Sequence, residues 1–341
     1  MRINTLDYLR GLMALGVMIY HYCSWTFEKY GSDTFIGIVG IYGVSIFYIL
    51  SGLTLYYVYK KSLTLNTTPL FFGKRIFRIL PLLGFSTVIM VVLFRQPHTI
   101  WDLFVNFTGL FGFVDHTNYI VTGAWSIGNE LVFYAFLPII LLGNKWNKYF
   151  IEVFFLTTLA IAVYFAFELL EDTKTLAEQW ATYINPFNQL FLFVGGILIG
   201  KIIQERKSNL LSGSLFAFCT LMILFYPVEG DSINIVSGWN RFVFSVVAFV
   251  ITIAFLTFNG KVSKGVDWIL SKLGHVSYSV YLTHAIVFRI VAQIISRTDN
   301  SPLFLAVSIA STIIFSWFTY HYFEVKFVEL GKRVLTKKKV K

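Results

Sequence analysis

The chain has 341 residues, of which 56% are hydrophobic and only 13% charged, and its mean hydropathy is +0.69. Soluble domains carry about 25% charged residues, so a water-soluble globular enzyme is excluded, and with 7 prolines and no low-complexity tract so are disordered and fibrous classes. The net charge of +10 raises nucleic acid as a partner, but the charges sort by loop rather than forming a basic patch, and the composition is that of an integral membrane protein.

A membrane-crossing helix needs about 20 mostly apolar residues. Ten stretches qualify, at 9–27, 37–59, 77–95, 122–143, 149–169, 184–203, 211–228, 239–258, 276–296 and 302–324. The expected fold is therefore all-α, a polytopic bundle of about ten transmembrane helices in one domain over residues 1–333, followed by a basic tail at 334–341. The first stretch ends in Cys23-Ser24-Trp25-Thr26-Phe27-Glu28, with no small-x-small cleavage site, so it reads as a retained span rather than a signal peptide. The apolar stretch 101–114 is too short to cross and reads as a re-entrant or interfacial piece.

Orientation follows from the loops. With the N-terminus inside, 22 of the 28 Lys and Arg residues fall on the inner side, while Lys29, Arg95, Lys174, Arg241 and Arg297 fall outside and Arg289 lies within a span. Acidic residues run the other way, with Glu168, Glu171, Asp172, Glu178, Glu229 and Asp231 all outside. Both termini are expected in the cytoplasm. Cys23 and Cys219 lie within spans and in no Cys-x-x-Cys pair, so neither a zinc site nor a disulfide framework is expected, and no metal.

Charged and ionisable groups inside a bilayer cost about 2.5–3.5 kcal/mol even on insertion scales, so those present are functional candidates. On the first span, Arg10 and His21 are eleven residues apart, which is nearly three turns, so they share a face about 16 Å apart along the axis. On the fourth span, Ser126, Glu130 and Tyr134 follow i, i+4, i+8 and make one polar stripe. Counted from the outer surface, Glu130 and His21 lie at comparable depth. A general base oriented by a carboxylate is one reading of the pair; an ion pair that fixes helix packing is the other. On the ninth span, Ser277, Tyr278, Tyr281 and His284 fall on one polar face, as catalytic groups or as a satisfied bundle core. Arg289 reads as a packing or snorkelling residue. Arg75 and Arg78, in the run Lys74 to Pro81, share a helical face at the inner mouth, where cations suit the phosphates of a cytosolic cofactor.

Five segments in order resemble the acyltransferase-3 family of integral membrane O-acyltransferases. They are Leu6-Asp7-Tyr8-Leu9-Arg10-Gly11 followed by His21; Phe47-Tyr48-Ile49-Leu50-Ser51-Gly52; the Lys74 to Pro81 block; Trp125-Ser126 with Glu130 and Phe133-Tyr134; and Ser277-Tyr278 with Tyr281-Leu282 and His284. Lys74 stands where the family often has Arg, and Lys326 replaces the Pro of a Glu-x-Pro segment beginning at Glu324. The resemblance implies transfer of an acyl group, most often acetyl, from cytosolic acyl-coenzyme A to a hydroxyl of a glycan or lipid-linked saccharide, in the cytoplasmic membrane of a bacterium. It implies donor binding by Arg10, Lys74, Arg75, Arg78, Trp125 and Ser126. His21 would be the general base or a transient acyl acceptor with Glu130 holding its tautomer, and Tyr134, Tyr278 or His284 would donate to the developing oxyanion. No extracytoplasmic hydrolase-like domain, which some relatives append, is expected. Buried Arg, His and Glu in a multi-span bundle also suit a proton-coupled transporter or a flippase for a glycan precursor, the alternative that the sequence leaves open.

Overall fold

The computed structural model describes residues 3–203, 207–295 and 302–337. Arg2, Arg206, Arg297, Lys338, Lys339 and Lys341 of the charge count, and the end of the expected tail, lie outside the described residues. Within them the chain is 81% helical, with no strand.

Among the described residues, each expected span coincides for most of its length with a helix. The first two are α1 (Asn4–Thr26) and α2 (Phe35–Tyr59), the latter begun by Thr34, whose side chain accepts from the Gly37 N–H. A Thr64/Thr67 capping box and Pro69 start α3 (Thr68–Phe94) about nine residues before the expected span. Lys74, Arg75 and Arg78 therefore ride on helix rather than loop. The piece at 101–114 is two short helices, α4 (Ile100–Thr108) and α5 (Phe111–Val114), separated by Gly109 at φ 72°. Next come α6 (Ala124–Trp146), and α7 (Phe150–Tyr164) continued by a π-helical turn at Phe165–Leu169. The short α8 (Trp180–Tyr183) leads into α9 (Pro186–Ile203), followed by α10 (Asn209–Phe225) and α11 (Gly238–Thr257). Ser263 caps α12 (Lys264–Ile294), which begins twelve residues before the expected span. Then α13 (Pro302–Thr319) passes through a π-helical turn, Tyr320–Glu324, into α14 (Val325–Lys337). The expected tail is thus helical as far as Lys337.

Among the described residues, seven helices are long and apolar enough to cross a membrane. The remaining expected spans are α10, which has only 17 residues, and α1 and α12, which carry the polar stripes. Of those two polar helices, α1 packs along both α12 and α2, and α2 in turn packs along α9. Glycines permit the contacts. A Cβ on Gly274 would lie 2.3 Å from the Asp7 carbonyl oxygen, and one on Gly52 would lie 1.9 Å from that of Phe193.

Loops that the charge count puts together do meet. Lys145 donates to the Leu63 carbonyl at 2.5 Å, and Lys201 pairs with Glu152 at 2.7 Å. At the opposite end, Ser32 N–H donates to the Gly230 carbonyl at 2.9 Å and Leu176 N–H to Asp231 at 2.8 Å. Arg241, counted with the outer loops, instead lies 3% exposed in the first turn of α11. Its guanidinium donates to the carbonyls of Val236 and Asn188 at 3.1 and 2.7 Å, so carbonyls rather than water solvate that charge. Arg289 stacks on Phe94 at 5.5 Å.

Candidate active site

Two cavities open inside the bundle. The first, about 310 Å³, lies at the lysine-rich end between α1, α2, α3, α6 and α12. Arg10, Arg75 and Arg78 line it, as do Ser126, Glu130 and Tyr134, so the stripe read from α6 faces one space. Arg10 is held by Asp7 at 3.1 Å. Arg75 is set among the rings of Tyr59, Phe71 and Tyr134, each 5.8–5.9 Å from its guanidinium. Glu130 Oε1 accepts from Ser51 Oγ at 2.7 Å and from the Tyr134 hydroxyl. Tyr278 also lines this cavity, but its hydroxyl donates to the Ile79 carbonyl at 2.9 Å, a strap between α12 and α3. Lys74 is exposed and not in the cavity wall.

The second cavity, about 560 Å³, opens toward the other end. His21 and His284 meet there with ring centroids 5.1 Å apart. His284 is fully buried, stacks on Trp25 at 6.0 Å, and its Nδ1 lies 2.6 Å from the Tyr281 carbonyl. A carbonyl can only accept, so Nδ1 carries the proton and Nε2 of the neutral ring is an acceptor. That Nε2 and Nδ1 of His21 are buried without a protein partner. Trp125, Trp180 and Tyr183 form an aromatic cluster in the same wall, with Trp125 and Trp180 edge to face at 5.4 Å. Among the described residues, no group of three or more His, Cys, Asp or Glu side chains is placed to hold a metal ion.

The expected partnership of His21 with Glu130 is not formed. Each lies about a turn and a half from the nearer helix end, but equal depth fixes neither azimuth nor neighbours. α1 packs on α12 and α2, whereas α6 packs on α9, α7 and α5. Glu130 accordingly finds Ser51 and Tyr134, and His21 finds His284. Trp125, expected near the donor, lines the cavity that holds the histidines and not the one that holds Glu130. Ser51 carries a weak signal in the sequence, as one of three Ser or Thr residues in an otherwise apolar or aromatic α2. Glu324 is buried at the π-helical turn and accepts from Ser279 at 3.1 Å.

The sequence pattern of the acyltransferase-3 family, described as an acyltransferase domain, matches residues 3–321. The chain belongs to the acyltransferase-3 family. The match runs from the first turn of α1 into the π-helical turn after α13, so both cavities fall inside it. No curated protein and no solved structure matches the chain. As a member of the acyltransferase-3 family it is an integral membrane acyltransferase. The chain thus carries a cavity lined by three arginines and a second one lined by two histidines.

Proposed function

We propose that the protein transfers an acetyl group from cytosolic acetyl-coenzyme A to a hydroxyl of a glycan or lipid-linked saccharide, working as one unit over residues 1–333 in the cytoplasmic membrane of a bacterium, with both termini inside. The observation that carries this reading is the separation of Arg10, Arg75 and Arg78 in one cavity from His21 and His284 in the next. Guanidinium groups suit coenzyme A phosphates because their planar donors match phosphate oxygens two at a time. Aromatic faces such as Trp125 and Trp180 suit the apolar faces of sugar rings.

In this scheme the donor's thioester points from the arginines toward the second cavity. His21, partly open to that cavity, removes the proton of the acceptor hydroxyl. The alkoxide attacks the thioester carbon, the C–S bond breaks, and the proton passes to the departing thiolate. His284 stands behind His21 in the tautomer set by Tyr281. The positive-inside count supports the orientation.

Purified protein in detergent, given acetyl-coenzyme A labelled in the acetyl group and a saccharide acceptor, is expected to release free thiol and label the saccharide. Accumulation of saccharide in protein-containing vesicles with no thiol release would overturn the reading in favour of transport.

A further inference from the structure

Val44 and Tyr281 belong to the walls of both cavities. Tyr281 is buried, and its hydroxyl is fastened twice, to Ser126 Oγ at 2.7 Å and to the Gly123 carbonyl at 3.2 Å. Ser126 also donates to that carbonyl, at 2.9 Å. Gly123 begins α6 at φ 85°, a conformation that L side chains rarely adopt, and a Cβ there would sit 3.5 Å from the Tyr281 ring. Phe47 packs edge-on against the same ring at 5.6 Å. The backbone of Tyr281 meanwhile holds His284. A large side chain tied at its tip to a neighbouring helix, standing between two polar spaces, is built as a wall.

We propose that Tyr281 is a specificity-determining partition between donor and acceptor cavities, admitting a short acyl group and keeping water on the histidine side away from the thioester. The inference rests on the first cavity being the donor site. The reaction requires the acyl carbon to exchange its bond to sulfur for one to the acceptor oxygen. Water near His21 can make the same exchange, releasing free acid and coenzyme A thiol. Excluding that water is what makes the enzyme a transferase rather than a thioesterase. The same wall limits acyl length, because a longer chain has to pass Val44 and the Tyr281 ring.

The test replaces Tyr281 with Ala or Leu and compares thiol released with acyl transferred. The ratio is expected to lie near one in the unaltered protein and to rise roughly tenfold in Tyr281→Ala, with butyryl donors gaining relative to acetyl. Tyr281→Phe, which keeps the ring but loses both ties at its tip, is expected to give a ratio between those of the parent and Tyr281→Ala. Thiol release that stays in step with transfer in both Tyr281→Ala and Tyr281→Leu overturns the proposal. A second measurement needs no activity. In protein lacking Cys23 and Cys219, Ser277→Cys puts a thiol in the first cavity, and a charged thiol reagent is expected to reach it from one side of sealed vesicles. Tyr281→Ala is expected to open it to both sides. Labelling from both sides with Tyr281 intact removes the partition. One-sided labelling together with no cleavage of acetyl-coenzyme A by the unaltered protein overturns the donor reading instead.

Discussion

His21 and His284 stand edge to face, their ring centroids 5.1 Å apart and their planes at 76°, on two helices that run side by side. Only one of the two is fixed by a strong bond, since His284 Nδ1 is held by Tyr281 and Nε2 is left as a buried acceptor. Two variants separate holding from chemistry. Asn in place of His284 keeps a donor near the Tyr281 carbonyl but removes the Nε2 lone pair. If Nε2 takes part in proton handling, His284→Asn and His284→Ala lose activity alike; if His284 serves only through its bond to the Tyr281 carbonyl, His284→Asn recovers most of it. His21→Ala is expected to lower kcat about 100- to 10,000-fold, the range for removing a general base. Unchanged size-exclusion behaviour would exclude misfolding, and a well-folded His21→Ala protein with full activity would end the assignment.

Glu130 lies in the wall of the other cavity, where its Oε1 accepts from two hydroxyls. Glu130→Gln keeps an oxygen for Ser51 and Tyr134 while discarding the charge. Because the carboxylate does not touch His21, the expected effect is on KM for the acyl donor, with kcat for bound substrate nearly unchanged. Glu130→Ala is harsher, leaving two hydroxyls without their acceptor at about 1–3 kcal/mol each, and should lower the melting temperature in detergent. A Glu130→Gln protein with normal donor KM and abolished kcat would restore the carboxylate–histidine pairing that the sequence suggests.

Much of this arrangement is legible in the sequence, and what is hidden has a physical reason. Hydropathy finds every long helix, because a bilayer leaves little choice of length. The i, i+4, i+8 spacing puts Ser126, Glu130 and Tyr134 on one face, and the eleven-residue interval puts Arg10 and His21 on another; both stripes line cavities. What periodicity cannot supply is which stripe faces which, since that depends on helix neighbours. Hence Glu130 is matched by depth to His21 although α1 and α6 each pack on other helices. The loops mislead for a related reason. Residues 264–275 and 68–76 are too charged to count as membrane span, yet they are helical, capped by Ser263 and opened by Pro69. Arg241 is buried because backbone carbonyls solvate it, and sequence does not display carbonyl positions.

The three arginines of the first cavity should not behave alike. Arg75 is packed among three rings and Arg10 is tethered to Asp7, whereas Arg78 is exposed at the rim. Replacing Arg75 with Ala removes both a charge and packing, so donor KM and thermal stability are expected to suffer together. Arg78→Ala should raise donor KM about 10-fold or more, the worth of a charge-assisted phosphate contact of about 1.5–3 kcal/mol, with little change in melting temperature. Lys74 lies outside the cavity wall, so Lys74→Ala is the control, with donor KM within about twofold of the parent. A larger effect at Lys74 than at Arg78 would move the phosphate site off this cavity.

The helices approach closely at glycine crossings outside the cavities, and the worth of those crossings can be tested without any substrate. Gly11 and Gly274 meet where α1 crosses α12; a Cβ on Gly11 would lie 2.7 Å from the backbone nitrogen of Gly274. At the α2–α9 crossing, a Cβ on Gly196 would lie 2.1 Å from the Ile49 carbonyl oxygen. Backbone cannot step aside as a flexible side chain can, so a single methyl at either crossing must push the helices apart. Gly274→Ala and Gly196→Ala are each expected to cost about 1–3 kcal/mol, seen as a lower melting temperature in detergent. Their functional signatures should differ. Gly274 sits on the helix pair that carries His21 and His284, so Gly274→Ala is expected to lower kcat in the protein that remains folded. Gly196 lies on α9, behind α2 and outside both cavity walls, so Gly196→Ala should lose stability while the folded fraction keeps its kcat. Equal loss of kcat in the two would mean that the geometry of the histidine pair depends on the whole bundle rather than on the α1–α12 crossing.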